Sequence, residues 1–429
     1  MVSWLSSRTK PGEFGEKPVT SLKRDMPCLA FAVLALATPA FESTLFPSAD
    51  LITKAQATPI KAPHHLSRPH TTQIHKTAVI GKDQRQKLSS KYHPQAIGIG
   101  ILGQPGKRSW SCTAFCVAPN IIATNAHCIV KNQTVGRRLD LSRTIFMLPA
   151  LKNPKTKSYT HSRFSHPQYV DPKTPGLSVY SGHFRKTSSV RTQSQDWAFT
   201  KLTNKACQGR TLEFVDLSIK DLQKAAKQKR LLMIGFHGDN KMKEHLVSIE
   251  CKVRSPQNRT YFLKAQRRQM AKQAVLLPHT CDSFKGSSGS PILLKTEKGL
   301  KVVGINLGSI RYERYQIRKN RYTGKVISRK KLRNTRETNM AVRPRAFLKG
   351  LERFKNETLF HSPRQLGLLQ TLLKELKFYK GKIDNKWGPA SKRAVTRYER
   401  KHDLAPLGLP TKELLTHIWQ EIDKKKLKI

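Results

Sequence analysis

Between residues 79 and 130 the chain alternates short apolar runs with Gly and Pro, the pattern of short strands in one half of a β-barrel. Residues 131–190 hold many Lys, Arg, Pro, Ser and Tyr but few apolar runs, and read as a long surface insertion. Strand-like segments return at Trp197-Ala198-Phe199 and over residues 231–235, 292–294, 301–306 and 339–342. Residues 216–230 predict a short helix, with Leu217, Leu222 and Ala225 on one side and lysines on the other. Residues 254–272 read as a basic loop. Further on the period changes: Leu366, Leu369, Leu372, Leu373 and Leu376 recur at helical steps. Ala394, Val395 and Tyr398 mark a second helix, and Leu407-Gly408-Leu409-Pro410-Thr411 opens a third through Leu414, Leu415 and Ile418. A mainly β body followed by a small three-helix unit is therefore expected.

The N-terminal part reads differently. Lys23-Arg24 precedes an apolar run over residues 28–37 and then Pro39-Ala40, which predicts a signal peptide cleaved near Ala37 or Ala40. The tract before it is long for a signal, so translation is expected to begin at Met26. The run is too short to span a bilayer, the competing reading being a buried helix, and no other apolar stretch is long enough to cross. Residues 41–77 are polar and aperiodic, as in a linker or propeptide. Without Cys28, six cysteines remain, an even number that suits an exported, oxidised protein: Cys112, Cys116, Cys128, Cys207, Cys251 and Cys281.

Length and charge narrow the partners. The 429 residues allow two or three domains, and a hydrophobic share of 38% is enough to fill cores. Eighty Lys and Arg against 28 Asp and Glu give a formal net charge of +52, which favours anionic partners such as wall polymers. Over residues 311–336 the basic residues interleave with Tyr312, Tyr315 and Tyr322. That composition serves nucleic acid, a solvated hairpin or a loop on an anionic polymer, and export argues against nucleic acid. His161, His166 and His183 lack ligand spacing and read as surface residues. No metal and no organic cofactor is implied.

The chemistry lies in three short stretches. Gly286-Ser287-Ser288-Gly289-Ser290-Pro291 places a serine between glycines that let the chain turn tightly, with the amides of Gly286 and Ser288 as candidate oxyanion donors. Thr124-Asn125-Ala126-His127-Cys128 supplies a base, and Gln195-Asp196-Trp197-Ala198-Phe199 a lone carboxylate entering an apolar segment. Alone, each has a plain structural explanation. In the order His, Asp, Ser they suit a triad in which Ser288 attacks, His127 shuttles the proton and Asp196 holds the imidazole.

Those boxes resemble the trypsin-like serine peptidases, most closely their bacterial glutamyl-endopeptidase-like branch. Val79-Ile80-Gly81, Gly235-Phe236-His237-Gly238-Asp239 and Val303-Gly304-Ile305-Asn306 resemble further landmarks of that branch. The resemblance implies two antiparallel six-stranded β-barrels (chymotrypsin-like) over residues 78–352, closed by a helix over 344–354. It also implies a histidine-loop disulfide between Cys112 and Cys128. We pair Cys251 with Cys281, ahead of the serine box, which leaves Cys116 with Cys207; the residues alone admit many other pairings. Asp282, six residues before Ser288, stands where trypsins carry the carboxylate at the base of the specificity pocket. A weak preference for Arg or Lys is expected, with a strand-end acceptor role as the alternative. Asn306 stands where the glutamyl enzymes need a histidine, against glutamate specificity. Ser287 replaces the aspartate that pairs with a new N-terminus in the digestive branch, so activation by that ion pair is not expected. His237 reads as structural.

Residues 362–420 resemble the three-helix peptidoglycan-binding module, whose glycine-bearing turn here carries Asn385, a residue that tolerates left-handed backbone. The expected protein has an N-terminal extension and signal (1–40), a linker or propeptide (41–77), a serine endopeptidase domain and a wall-binding module. It would be secreted or periplasmic, held in the cell envelope, with peptides as substrates and peptidoglycan or another anionic wall polymer as partner. The other reading is an inactive protease-fold protein that attaches to anionic envelope polymers.

Overall fold

The computed structural model describes residues 70–75, 79–89, 93–103, 111–129, 144–149, 160–163, 179–182, 189–320, 322–331 and 336–426. All belong to one compact unit, Pro63–Ile429. The expected signal peptide, the start of the 41–77 segment, His166 and His183 lie outside the described residues.

Two β-sheets form the body. The first has seven strands in the order Thr160–Arg163, Ile145–Leu148, Ile99–Gly103, Ser111–Ala118, Ile121–Thr124, Ala198–Lys201 and Val179–Ser181, all antiparallel. Three of these come from the 131–190 stretch, so that stretch is not merely a surface insertion. Its strands are only three or four residues long, and their few apolar side chains were too sparse to show a period.

The second sheet has ten strands built on one long strand, Gly299–Lys319. Its main path runs Leu276–His279, Arg336–Val342, the long strand, Pro291–Thr296, Leu231–Gly235, Leu246–Ser248 and Arg85–Lys87. His70–His75, Glu213–Phe214 and Val326–Lys331 add to the long strand outside that path. Strand numbers therefore exceed six in both sheets, and among the described residues neither path of pairing returns to its first strand. The basic 311–336 stretch is a hairpin in which the long strand turns back through Val326–Lys331. Helix Ile219–Lys227 forms as its apolar side predicts, burying Leu222 and Ala225 behind an N-cap at Ser218. The 254–272 stretch holds a helix after all, Lys264–Gln273. Of its own side chains only Gln266 and Met270 are buried, too little apolar signal to read as periodic.

The C-terminal helices are Pro363–Glu375, Pro389–Lys401 and Lys412–Lys426, each where the leucine pattern put it. Leu366, Leu369, Leu373, Trp387, Tyr398 and Ile418 form their own core. Asn385 takes φ 58°, the left-handed turn expected of it, and its N–H donates to the buried Gln370 amide oxygen at 3.1 Å. Leu407 and Leu409, however, join the core of the β body, which contains Trp197, Phe199, Leu351 and Phe354. The helical unit is thus packed into the β body through helix Leu348–Asn356.

Candidate active site

Strand pairing brings the histidine and aspartate boxes together. Ile121–Thr124 lies antiparallel to Ala198–Lys201 with Thr124 opposite Ala198. Three residues beyond Thr124 and two before Ala198, the side chains of His127 and Asp196 meet. His127 Nδ1 lies 2.7 Å from Asp196 Oδ2, and the His127 backbone N–H donates to Asp196 Oδ1 at 2.9 Å. The buried Asn125 side chain donates to the Asp196 carbonyl at 2.9 Å, which fixes the backbone on the other side. A carboxylate gripped at both oxygens cannot rotate away, so the imidazole plane is set.

The serine loop belongs to the second sheet but docks on the first. Thr113 N–H donates to the Ser288 carbonyl at 2.9 Å, and Thr113 Oγ1 donates to the Gly286 carbonyl at 3.1 Å. Gly286 and Gly289 take φ +100° and +87°, and a Cβ on Gly289 would collide with the Thr113 carbonyl. These are the two places where the turn requires glycine. The loop's other amides are spoken for: Ser287 N–H goes to Phe284, Gly289 N–H to Asn306 and Ser290 N–H to the Ser287 carbonyl, at 2.9, 2.9 and 3.0 Å. Among the described residues, the N–H groups of Gly286 and Ser288 make no such bond. Ser288 Oγ donates to the Leu307 carbonyl at 3.3 Å.

All three cysteine pairs are formed, Cys112–Cys128, Cys116–Cys207 and Cys251–Cys281. The first lies against His127, and because its sulfurs are bonded to each other the trio Cys112, His127 and Cys128 is no metal cluster.

Two candidate specificity residues are held by contacts within the protein. Asp282, offered either for the base of a specificity pocket or as a strand-end acceptor, is buried with both carboxylate oxygens on backbone amides. Its Oδ1 accepts the Ile80 N–H at 3.0 Å and its Oδ2 the Gln84 N–H at 2.8 Å, so both oxygens hold the start of the β body. Burial pushes its pKa up and the two amides pull it back. Asn306, at the position of the glutamyl enzymes' histidine, also makes an internal contact. It is fully buried and its Nδ2 reaches the Ser287 carbonyl at 2.9 Å and Ser283 Oγ at 3.2 Å, bracing the serine loop from behind. No local signal shows that these two side chains serve the backbone, since their partners are distant in sequence.

His237 is structural, as read. It is fully buried with Nδ1 3.1 Å from Arg85 Nη1, and burial, then the Arg85 charge, lowers its pKa to about 4. Arg85 is in turn paired with Asp83 and Asp239. Thr113 and the Leu307 carbonyl were not anticipated; neither residue type announces a role in the sequence.

Residues 112–305 match the family model of the trypsin-like peptidase domain, and residues 363–418 that of a putative peptidoglycan binding domain. The chain carries a trypsin-like peptidase domain. Behind it stands the peptidoglycan-binding-type domain. The chain is similar to the solved structure of a Glu endopeptidase in complex with MPD, at 16% identity and TM-score 0.40, over 65% of this chain and 100% of that one. It is also similar to the secreted serine protease VesC from Vibrio cholerae (11% identity, TM-score 0.38), over 62% of this chain and 47% of VesC. A third likeness is to the scabies mite inactivated protease paralogue S-I1, at 13% identity and TM-score 0.37, over 63% and 98% of the two chains. No curated protein matches the chain. No helix among the described residues is long and apolar enough to cross a membrane.

Proposed function

We propose that the peptidase domain, taken as residues 78–352, is a serine endopeptidase with His127, Asp196 and Ser288 as its triad. The observation that supports this most directly is the two-point grip of Asp196 on His127, at 2.7 Å to Nδ1 and 2.9 Å to the backbone N–H. With Nδ1–H donating to Asp196, Nε2 is the nitrogen that takes the serine proton. The 3.3 Å bond from Ser288 Oγ to Leu307 is long for a hydroxyl donor, so a χ1 rotation toward His127 gives up little. The attacked carbonyl oxygen then has the amides of Gly286 and Ser288 as its donors. As the tetrahedral intermediate collapses, His127 protonates the leaving amine, the C–N bond breaks and acyl-Ser288 remains; water then repeats the sequence to release the acid.

The helical module, residues 362–420, would hold the enzyme against peptidoglycan or another anionic wall polymer, and the three disulfides suit an exported protein. A serine-directed fluorophosphonate tests the reading. The full chain should be labelled and Ser288→Ala should not. An unlabelled, folded wild type would mean an inactive protease fold, leaving attachment to anionic envelope polymer as the function.

A further inference from the structure

One strand lies where an incoming peptide would have to lie. The long strand Gly299–Lys319 has Arg336–Val342 along one edge, opposite residues 305–312. Its other edge is shared in succession. Pro291–Thr296 covers it up to Ile305, and His70–His75 covers it from Ser309 to Arg314. Between them the serine loop touches the same edge: Asn306 N–H donates to the Ser290 carbonyl at 2.8 Å and the Leu307 carbonyl accepts from Ser288 Oγ at 3.3 Å.

The direction of His70–His75 matters as much as its place. The pairing is antiparallel, with His70 opposite Arg314 and His75 opposite Ser309, so this segment runs toward Ser288. Its end is two residues along the strand from Leu307, about 7 Å at roughly 3.3 Å per residue. A substrate that presents its carbonyl to Ser288 from the acyl side must add to this edge, in this direction. Five residues on, the chain is pinned again, where Ile80 N–H meets Asp282 at 3.0 Å. The segment's composition suits an occupant of that edge. His-Thr-Thr-Gln-Ile-His carries no Lys, Arg, Asp or Glu in a chain with 108 of them, and Thr and Ile favour strands.

We propose that His70–His75 is an autoinhibitory strand: by β-strand addition, and in substrate direction, it occupies the edge of the long strand over Ser309–Arg314 that leads an extended peptide to Ser288. This rests on the endopeptidase reading above and adds what holds that site closed. A tethered strand competes at an effective concentration on the order of millimolar, so peptides from outside meet a raised KM while the chemistry is untouched.

The test uses the full chain. Successive residues of a strand alternate between bonded and non-bonded positions, so Thr72→Pro with Gln73→Pro removes a ladder N–H in either register. The expected result is a KM for an oligopeptide about tenfold lower with kcat per fluorophosphonate-labelled site unchanged. Added peptide HTTQIH should inhibit the double-proline variant competitively and leave wild type nearly unaffected. Thr72→Gly with Ile74→Gly, which loosens the strand without deleting an N–H, should move KM the same way by less. Unchanged KM in both variants with no inhibition by HTTQIH overturns the proposal. If fluorophosphonate labels neither protein, the endopeptidase reading fails instead. Fluorescein-labelled HTTQIH then tests occupation of the edge alone: anisotropy should show it binding the proline variant and not wild type, and equal behaviour of the two overturns it.

Discussion

Glu399 should make the junction between the peptidase and the helical module sensitive to pH. Its carboxylate is fully buried on helix Pro389–Lys401. Arg353 Nη1 lies 3.1 Å from Oε1, and the Gly408 N–H donates to Oε2 at 2.9 Å. Arg353 is shared, because its Nε and Nη2 also hold Glu357 at 2.5 and 2.9 Å. One guanidinium is thus divided between a fully buried carboxylate, Glu399, and a partly buried one, Glu357. Desolvation therefore dominates and pushes the Glu399 pKa from its ordinary 4.5 up to about 7, against the pull of Gly408 and Arg353. Lys392 and the Tyr180 hydroxyl also feel its charge, the lysine being itself desolvated.

The sign follows from the raised value. A carboxyl that is harder to ionise when folded contributes stability that is fully present below about 4.5 and lost as pH rises through about 7. The difference between 4.5 and 7 amounts to about 3 kcal/mol. Glu399→Gln is the neutral mimic: its carbonyl can still accept from Gly408, and it cannot ionise. Thermal unfolding at pH 5 and pH 8.5 is the assay. The two proteins should be close at pH 5, and at pH 8.5 the glutamine variant should melt higher by roughly 5 °C. A pH-independent difference would refute the reasoning. So would a less stable glutamine variant at pH 8.5, because the ionised Glu399–Arg353 pair would then be a net stabiliser.

Three further outcomes are expected. Asp196→Asn should lower kcat by about 10⁴-fold with the fold intact, because an amide facing Nδ1 selects the wrong imidazole tautomer; near-normal turnover would remove Asp196 from the triad. Proteolytic mapping without reduction should recover Cys112 and Cys128 in one linked fragment, and replacing both by Ser should cost about 2–5 kcal/mol of stability in denaturant unfolding. Asp282→Asn should speed hydrogen exchange at the Ile80 and Gln84 amides and leave the cleavage preference of a mixed peptide library unchanged; a lost Arg or Lys preference would place Asp282 in the substrate pocket.

What could be read from the sequence was local. Each box of the proposed triad combines a reactive side chain with its own backbone context, so TNAHC, QDWAF and GSSGSP stand out without knowledge of their partners. The leucine steps of Pro363–Glu375 are likewise complete within one helix. What escaped depends on distant partners. Asp282 meets amides about 200 positions upstream, and nothing in its neighbours distinguishes a carboxylate that binds backbone from one that binds substrate. Helix Lys264–Gln273 buries so little of its own that its lysines and arginines hid it. The sequence shows the long strand only over 301–306, because the basic part beyond it has no apolar period and is paired with Val326–Lys331, Arg336–Val342 and the distant His70–His75.

The same distinction bears on the helical module, which reads in sequence as a separate unit but is not separate in packing. Tyr180 stacks edge-on to Trp197 at 4.9 Å and lies 5.8 Å from Phe354, while Trp197 meets Phe347 at 5.5 Å. Phe354 and Arg353 sit on helix Leu348–Asn356, which the module meets through the Arg353–Glu399 pair, with Leu407 and Leu409 in the same core cluster as Leu351 and Phe354. Trp197 directly follows Asp196. The aromatic cluster thus runs from the module's contact surface to the carboxylate that orients His127, through buried rings with no flexible linker between them. Packed interiors transmit small displacements because they have no slack to absorb them. An event that shifts the module, whether polymer binding or ionisation of Glu399, therefore has a physical route to the geometry of the Asp196–His127 pair. A module on a free tether would have none.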